Sequence, residues 1–128
     1  MQFDVNARYA ESHEWIRKDG EAFLVGISDH AQHSLGDIVF IDLPKVGALF
    51  KAKEAFAVVE SVKAAADLYL PIGGTISAVN ERLEGNPEII NQDCYGEGWI
   101  ARISGGSEEA WNALLSAGDY EKTLEPEN

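Results

Sequence analysis

Short apolar runs separated by turn residues set the rhythm of the chain from His13 to Ile103. His13 to Arg17, Ala22 to Ile27, Ile38 to Leu43, Ala55 to Val62, Leu68 to Leu70, Thr75 to Val79 and Gly98 to Ile103 are rich in Val, Ile, Phe and Trp, and each reads as a strand. Asp19-Gly20, Pro44, Pro71, Gly73-Gly74 and Gly96 supply the breaks. Many short strands at close spacing predict an all-β sandwich or flattened barrel, with helix only at its periphery. Ser28 or Asp29 can cap a brief helix over His30 to Leu35 that ends at Gly36. Ser107 can cap a second over Glu108 to Ala117 that ends at Gly118, with Glu108 and Glu109 in the first turn, where the helix dipole favours negative charge. Asp119 to Leu124 adds a further turn, and Glu125 to Asn128 reads as a frayed acidic tail. Trp15 and Trp99 are read as core, and Trp111 as an anchor between the terminal helix and the sheet.

Lys63 stands apart within this pattern. No other lysine occurs between Glu54 and Glu121, and Lys63 lies in Glu60-Ser61-Val62-Lys63-Ala64 at the midpoint of two strand-like runs. Ala55-Phe56-Ala57-Val58-Val59 precedes it and Leu68-Tyr69-Leu70-Pro71-Ile72 follows it, so the amine is expected at the tip of a hairpin. The small residues Ser61, Ala64, Ala65 and Ala66 leave room around it. A catalytic lysine needs its ammonium destabilised by burial or by a neighbouring cation. Glu60 and Asp67 favour the charged form instead, and the nearest bases in sequence are Lys53 and Arg82. An ordinary turn lysine is the plain alternative; the placement favours an attachment point, where acylation removes the charge and leaves a neutral amide.

Composition narrows the partners. A chain of 128 residues that is 45% hydrophobic has the length and apolar content of one domain with one core. A formal net charge of -12, from 22 acids against 10 bases, repels phosphate backbones and anionic lipid, which disfavours nucleic acid and membrane surfaces as partners. No apolar run approaches the roughly 20 residues that span a bilayer, and Met1-Gln2-Phe3-Asp4 has no basic or apolar leader character. A soluble, cytoplasmic protein is expected. The single Cys94 cannot form an internal disulfide and receives no role. His30 and His33, with Asp29 and Asp37, lack a closed ligand set, so no metal site is assigned. Gly73-Gly74 and Gly105-Gly106 lack the spacing and lysine of a phosphate-binding loop. Ser28, Asp29 and His30 are too close in sequence for a nucleophilic triad.

At Glu60-Ser61-Val62-Lys63-Ala64, with Asp67 and then Pro71-Ile72-Gly73-Gly74 beyond it, the sequence resembles the lipoyl-attachment region of the glycine cleavage system H protein family. The likeness covers nearly the whole chain. Ser12-His13-Glu14-Trp15 opens it, and Val25-Gly26-Ile27-Ser28-Asp29-His30-Ala31-Gln32 followed by Leu35-Gly36-Asp37-Ile38-Val39-Phe40 continues it. Asn86-Pro87-Glu88, Asn91 and Tyr95-Gly96-Glu97-Gly98-Trp99 close it. The chain departs from the family's usual residues at Ala66, Leu70 and Cys94, where Ser or Thr, Ser, and Pro are more common.

The resemblance implies a mainly β carrier domain of the lipoyl/biotinyl, barrel-sandwich hybrid type over residues 1–128, with its lipoyl-binding core at about 22–104 and a C-terminal helical segment at about 107–124. It implies a carrier rather than an enzyme, bearing lipoic acid as an amide on Lys63. The lipoyl arm would accept the aminomethyl group of glycine from glycine decarboxylase, the P protein, and deliver it to the aminomethyltransferase, the T protein. Dihydrolipoyl dehydrogenase, the L protein, would reoxidise the arm, and a lipoate ligase or lipoyl transferase would install it. A tethered arm gives each docked enzyme a high local concentration of the reactive group, whose chemistry belongs to the cofactor. Ser12, Glu14 and Asp67, with His30 nearby, match the cleft in which the family shelters the loaded arm, and Glu60 and Ser61 are candidates for recognition by the ligase. Spacing alone reads Glu14 and Asp67 as solvated carboxylates and Ser12 as a turn hydroxyl. A monomer is expected, in a bacterial cytoplasm or, for a processed eukaryotic chain, in the mitochondrial matrix. Two other classes stay open: a carrier of the same fold on another route, biotinyl or lipoyl-relay, and an unmodified interaction module or small enzyme. Biotin attachment is disfavoured because Val62 and Ala64, not methionines, flank the lysine.

Overall fold

The structure is a computed structural model that describes residues 1–124. Its strands are β1 (Ala7–Tyr9), β2 (Glu14–Asp19), β3 (Ala22–Ile27), β4 (Ile38–Asp42), β5 (Leu49–Phe50), β6 (Ala55–Ser61), β7 (Ala65–Tyr69), β8 (Gly74–Val79) and β9 (Ala101–Ser104). Helices α1 (Asp29–Leu35), α2 (Arg82–Gly85), α3 (Ile89–Gln92), α4 (Glu108–Asn112) and α5 (Ala117–Leu124) are short. One sheet has the order β1-β2-β3-β9-β8-β5 and the other the order β4-β6-β7, with antiparallel pairing throughout. The expected all-β sandwich with peripheral helices is thus the observed architecture, although the two sheets do not close into one barrel.

The main core lies between the sheets. Val25, Ile27, Ile41, Val59, Leu68, Leu70, Ile76 and Ile103 are among its buried side chains. On β2 the alternation of side chains sends Ile16 into this core and turns Trp15 to the opposite face. Both are fully buried, so the outer face of the six-stranded sheet needs a cover. Helix α5 supplies it: Ala117 and Tyr120 pack with Ala7, Tyr9 and Trp15 in a second cluster, and the Tyr9 and Tyr120 rings stack at 4.4 Å. Gly26 makes this packing possible, because a Cβ there would lie 2.7 Å from the Trp15 indole. The Trp15 indole N–H donates to the Cys94 carbonyl at 3.0 Å, and the Arg17 guanidinium sits over the Trp15 ring at 4.7 Å.

Several expected elements take a different form. The helix capped by Ser107 stops at Asn112 instead of running to Ala117, and Gly118 lies inside α5 rather than ending a helix. The reason is tertiary. Leu115 leaves the helical path to pair with Tyr9, with hydrogen bonds of 2.8 and 3.0 Å in the two directions, and the Arg8 guanidinium donates to the Leu114 carbonyl. Strand β9 begins at Ala101 rather than Gly98, because Gly96 to Trp99 turn tightly against Asp93; Gly98 N donates to Asp93 O at 2.9 Å. The strands β1 and β5 and the single-turn helices α2 and α3 had no counterpart in the sequence pattern. Trp111 does anchor to the sheet, its indole N–H donating to Ile16 O at 2.9 Å, but from α4 rather than from the terminal helix. Trp99 is half-buried against the second cluster. The expected tail from Glu125 to Asn128 lies outside the described residues.

Candidate functional site

Strands β6 and β7 pair in the register Glu60↔Ala65 and Val59↔Ala66, and the chain reverses between them at Val62-Lys63-Ala64. Ser61 builds the reversal. Its backbone N–H donates to Ala64 O at 2.8 Å, and its hydroxyl accepts from the backbone N–H groups of Lys63 at 3.2 Å and Ala64 at 3.1 Å. Ser61 therefore shapes the turn from within, whereas Glu60 stands exposed beside it. Val62 N donates to Asp37 O at 3.0 Å, which ties the tip to the loop after α1. Lys63 is exposed and makes no ion pair among the described residues. Its stem crosses Gly36: a Cβ on that glycine would lie 3.1 Å from Lys63 Cε. Gly36 also takes φ 79° where α1 ends, so both the turn and the lysine call for glycine there.

A cleft of about 250 Å³ lies between α1 and β7. His30, Ala31, Ser34 and Leu35 form one wall, Ala66, Asp67 and Leu68 the other, and Ser12, His13 and Glu14 the far end. Along β7, the four steps from Ala65 to Tyr69 cover about 13 Å at the usual strand rise. At the end of that path Glu14 is 1% exposed, which corrects the reading of it as a solvated carboxylate. The Ser12 hydroxyl donates to Glu14 Oε1, and the Tyr69 backbone N–H donates to Oε2 at 3.0 Å. Burial raises the Glu14 carboxyl above its ordinary range, and the hydrogen bonds from Ser12 and Tyr69 offset part of that rise. A carboxylate desolvated in this way gains most from a cation. Asp67 is exposed on β7, and its place in the cleft wall is shared with Ala66.

The structure brings together Ser12, Glu14, Asp67 and His30, the four cleft residues that the family resemblance singles out. Lys63, Glu60 and Ser61 sit at the turn end of β6 and β7, apart from them. Reasoning from sequence missed His13. Strand alternation would turn it away from Ser12 and Glu14, but φ 81° breaks that alternation and brings the ring into the cleft, 4.7 Å from the His30 ring. Such a conformation costs a residue with a Cβ roughly 1–2 kcal/mol. Cys94, to which the sequence assigns no role, is buried, and burial pushes its thiol up to about 12, which leaves no thiolate for chemistry. Among the described residues, no three His, Cys, Asp or Glu side chains gather as a metal site.

The fold and this site together define a class: a β-sandwich of the barrel-sandwich hybrid type that holds a lone lysine on a hairpin tip above a carboxylate-ended cleft. The glycine cleavage H-protein family model matches residues 7–127. Among curated relatives, the glycine cleavage system H protein of Pseudoalteromonas atlantica is 53% identical over 121 residues, 94% of each chain. That of Carboxydothermus hydrogenoformans is 50% identical over 94% of this chain and 92% of its own. The crystal structure of a glycine cleavage system H protein from Mycobacterium marinum superposes with a TM-score of 0.85 at 34% identity, covering 94% of this chain and 98% of that one. The chain belongs to the glycine cleavage H-protein family.

Proposed function

We propose that this protein is the lipoyl carrier of a glycine cleavage system, with the lipoyl group in amide linkage on Lys63. One observation carries the reading: the only lysine between Glu54 and Glu121 lies on an exposed hairpin tip with its stem over Gly36, at the turn end of β7, whose Ala66 and Asp67 line a cleft that ends on a buried carboxylate. The residues present fit the group. Among the described residues Lys63 is exposed, the neighbouring side chains of Ala64 and Ala65 are small, and the cleft lies along the path an extended arm would take.

When bound, lipoate supplies a dithiolane that takes up the aminomethyl group from the P protein, yields it to the T protein and is reoxidised by the L protein. The chain's own residues shelter the load between visits. Glu14 accepts a hydrogen bond from a protonated amine, Ser12 and the Tyr69 N–H hold the carboxylate in position, and Asp67 adds negative charge at the cleft wall. Leu35, Leu68 and Ala66 exclude water from the carbon next to the amine. Ala66 gives this wall a methyl group, so its contribution is apolar. His30 closes the wall opposite β7. Glu60, exposed, and Ser61, which sets the shape of the turn, give a lipoate ligase or lipoyl transferase its recognition surface. The protein itself is a carrier component and not an enzyme, acting as a monomer that docks to each partner in turn, and its bacterial relatives fit a cytoplasmic setting.

Glycine cleavage reconstituted with P, T and L proteins tests this directly. Lys63→Arg keeps the charge and removes the acylation site, so turnover is expected to fall to background while the thermal midpoint stays within the range of a surface substitution, about 0.5 kcal/mol. Near-normal turnover by Lys63→Arg would refute the assignment.

A further inference from the structure

We propose that Ser28 and Tyr120 are positioning residues that lock His13 as the neutral imidazole carrying its proton on Nε2, so that the cleft offers a cationic amine the Glu14 carboxylate with no charge on the His13 ring next to it. The proposal rests on the cleft reading given above and deepens it.

Hydrogen-bond directions carry the argument. Ser28 is fully buried, and its hydroxyl has two partners among the described residues: the Ala31 backbone N–H at 3.1 Å and the Tyr120 hydroxyl at 2.7 Å. The Ala31 N–H can only donate, so Ser28 Oγ accepts from it, and the hydroxyl's own proton is left to go to Tyr120. Tyr120, also fully buried, then has one proton, and its other partner is His13 Nδ1 at 2.8 Å. Nδ1 therefore accepts, and the single ring proton of a neutral His13 resides on Nε2. Protonating His13 would reverse the chain. An Nδ1–H would donate to Tyr120, Tyr120 would donate to Ser28, and the Ser28 proton would be left with no acceptor in a site that water does not reach.

The surroundings agree with this direction. The groups around His13 are His30 from α1, Tyr120 from α5, Glu14 next to it in the chain and Asp67 lining the same cleft from β7. Burial is the larger influence that pulls His13 below the ordinary histidine value, and charge on His30 pulls the same way. The left-handed backbone at His13 is a second observation, independent of titration. The turn between β1 and β2 fixes that backbone, the His13 N–H donating to Ala10 O at 3.0 Å and His13 O accepting from the Ser28 N–H at 2.9 Å, and so brings Nδ1 to Tyr120. Helix α5, which is remote from Lys63 in sequence, thereby acts on the cleft through one side chain.

Nitrogen-15 NMR of the histidine rings in the unlipoylated chain reads the tautomer directly. The expected result is a His13 with Nε2 protonated and Nδ1 bare, titrating below the ordinary histidine value. Tyr120→Phe removes the proton that Nδ1 accepts, and the His13 midpoint is expected to rise by about one pH unit. After loading, release of the amine from Tyr120→Phe is expected to accelerate as pH falls through that midpoint, whereas release from the unsubstituted protein does not change there. An Nδ1–H tautomer, a mixture of tautomers, an imidazolium at neutral pH or an unmoved midpoint in Tyr120→Phe would each overturn the proposal. The tautomer measurement needs neither the variant nor the lipoyl group. A variant that does not fold leaves it decisive, and failure of the carrier reading is seen separately in Lys63→Arg.

Discussion

Glu14 and Lys63 solve opposite problems. Lys63 stays in water, as the proposed acylation requires, on a turn whose hydrogen bonds among the described residues are made by Ser61 and the backbone and none by the lysine side chain. Glu14 is withdrawn from water, which suits the cation-holding role proposed for it, and burial raises its carboxyl. A carboxyl raised in the fold contributes stability that is present below the ordinary glutamate value and is lost as pH rises through its folded value. At neutral pH the Glu14 charge is therefore a cost to the fold, one that the proposed role in the cleft would account for. Glu14→Gln keeps an acceptor for the Tyr69 N–H and a polar partner for Ser12, so its thermal midpoint at neutral pH is expected to equal or exceed that of the unsubstituted protein. The lifetime of the loaded aminomethyl group should fall at least tenfold, since a hydrogen bond to a charged group contributes about 1.5–3 kcal/mol. Thermal scans and quench-flow trapping of the loaded arm check the two halves; an unchanged lifetime would remove Glu14 from the cleft's chemistry.

Among the elements, α1 matters most to the site, because it is one whole wall of the cleft and has no fully buried residue of its own. It is held by its ends. Ser28 caps the first turn by accepting from Ala31 N, and at the other end Asn91 donates to both Gln32 Oε1 and the Gly36 carbonyl. Ser28→Ala, which removes both the cap and the buried bond to Tyr120, is expected to cost about 2 kcal/mol, a drop of about 8 °C in Tm for a chain of this size, measurable by calorimetry. That helix was legible from its cap and from Gly36, and the hairpin was legible from the two apolar runs that flank Lys63. Elements fixed by distant partners were not legible. Strand β1 is too short to show a period and exists because Tyr9 pairs with Trp15 and bridges to Leu115; the same bridge cuts the expected Glu108 to Ala117 helix in two. The cleft was legible only through family likeness, because burial of Glu14 depends on β7 arriving with a free N–H at Tyr69, and no local pattern in Ser12-His13-Glu14 announces that.

Across the whole molecule, two titrations pull stability in different directions. His13 lies below the ordinary histidine value, so its contribution is full above that value, about 6.5, and is lost as pH falls through the folded value. Glu14 regains stability only in more acidic solution, near and below its own raised value. Chemical unfolding followed over pH is thus expected to show stability declining as the solution is acidified below about pH 6.5, with His13→Gln flattening that decline. A His13→Gln curve parallel to that of the unsubstituted protein would place the loss elsewhere. Mapping of the modified residue, by intact mass and peptide mass spectrometry after incubation with lipoate and a lipoyl ligase, tests the central claim most directly. A single lipoyl amide on Lys63, absent from Lys63→Arg, is the predicted result; an unmodified chain, or a lipoyl group on any other lysine, would contradict it.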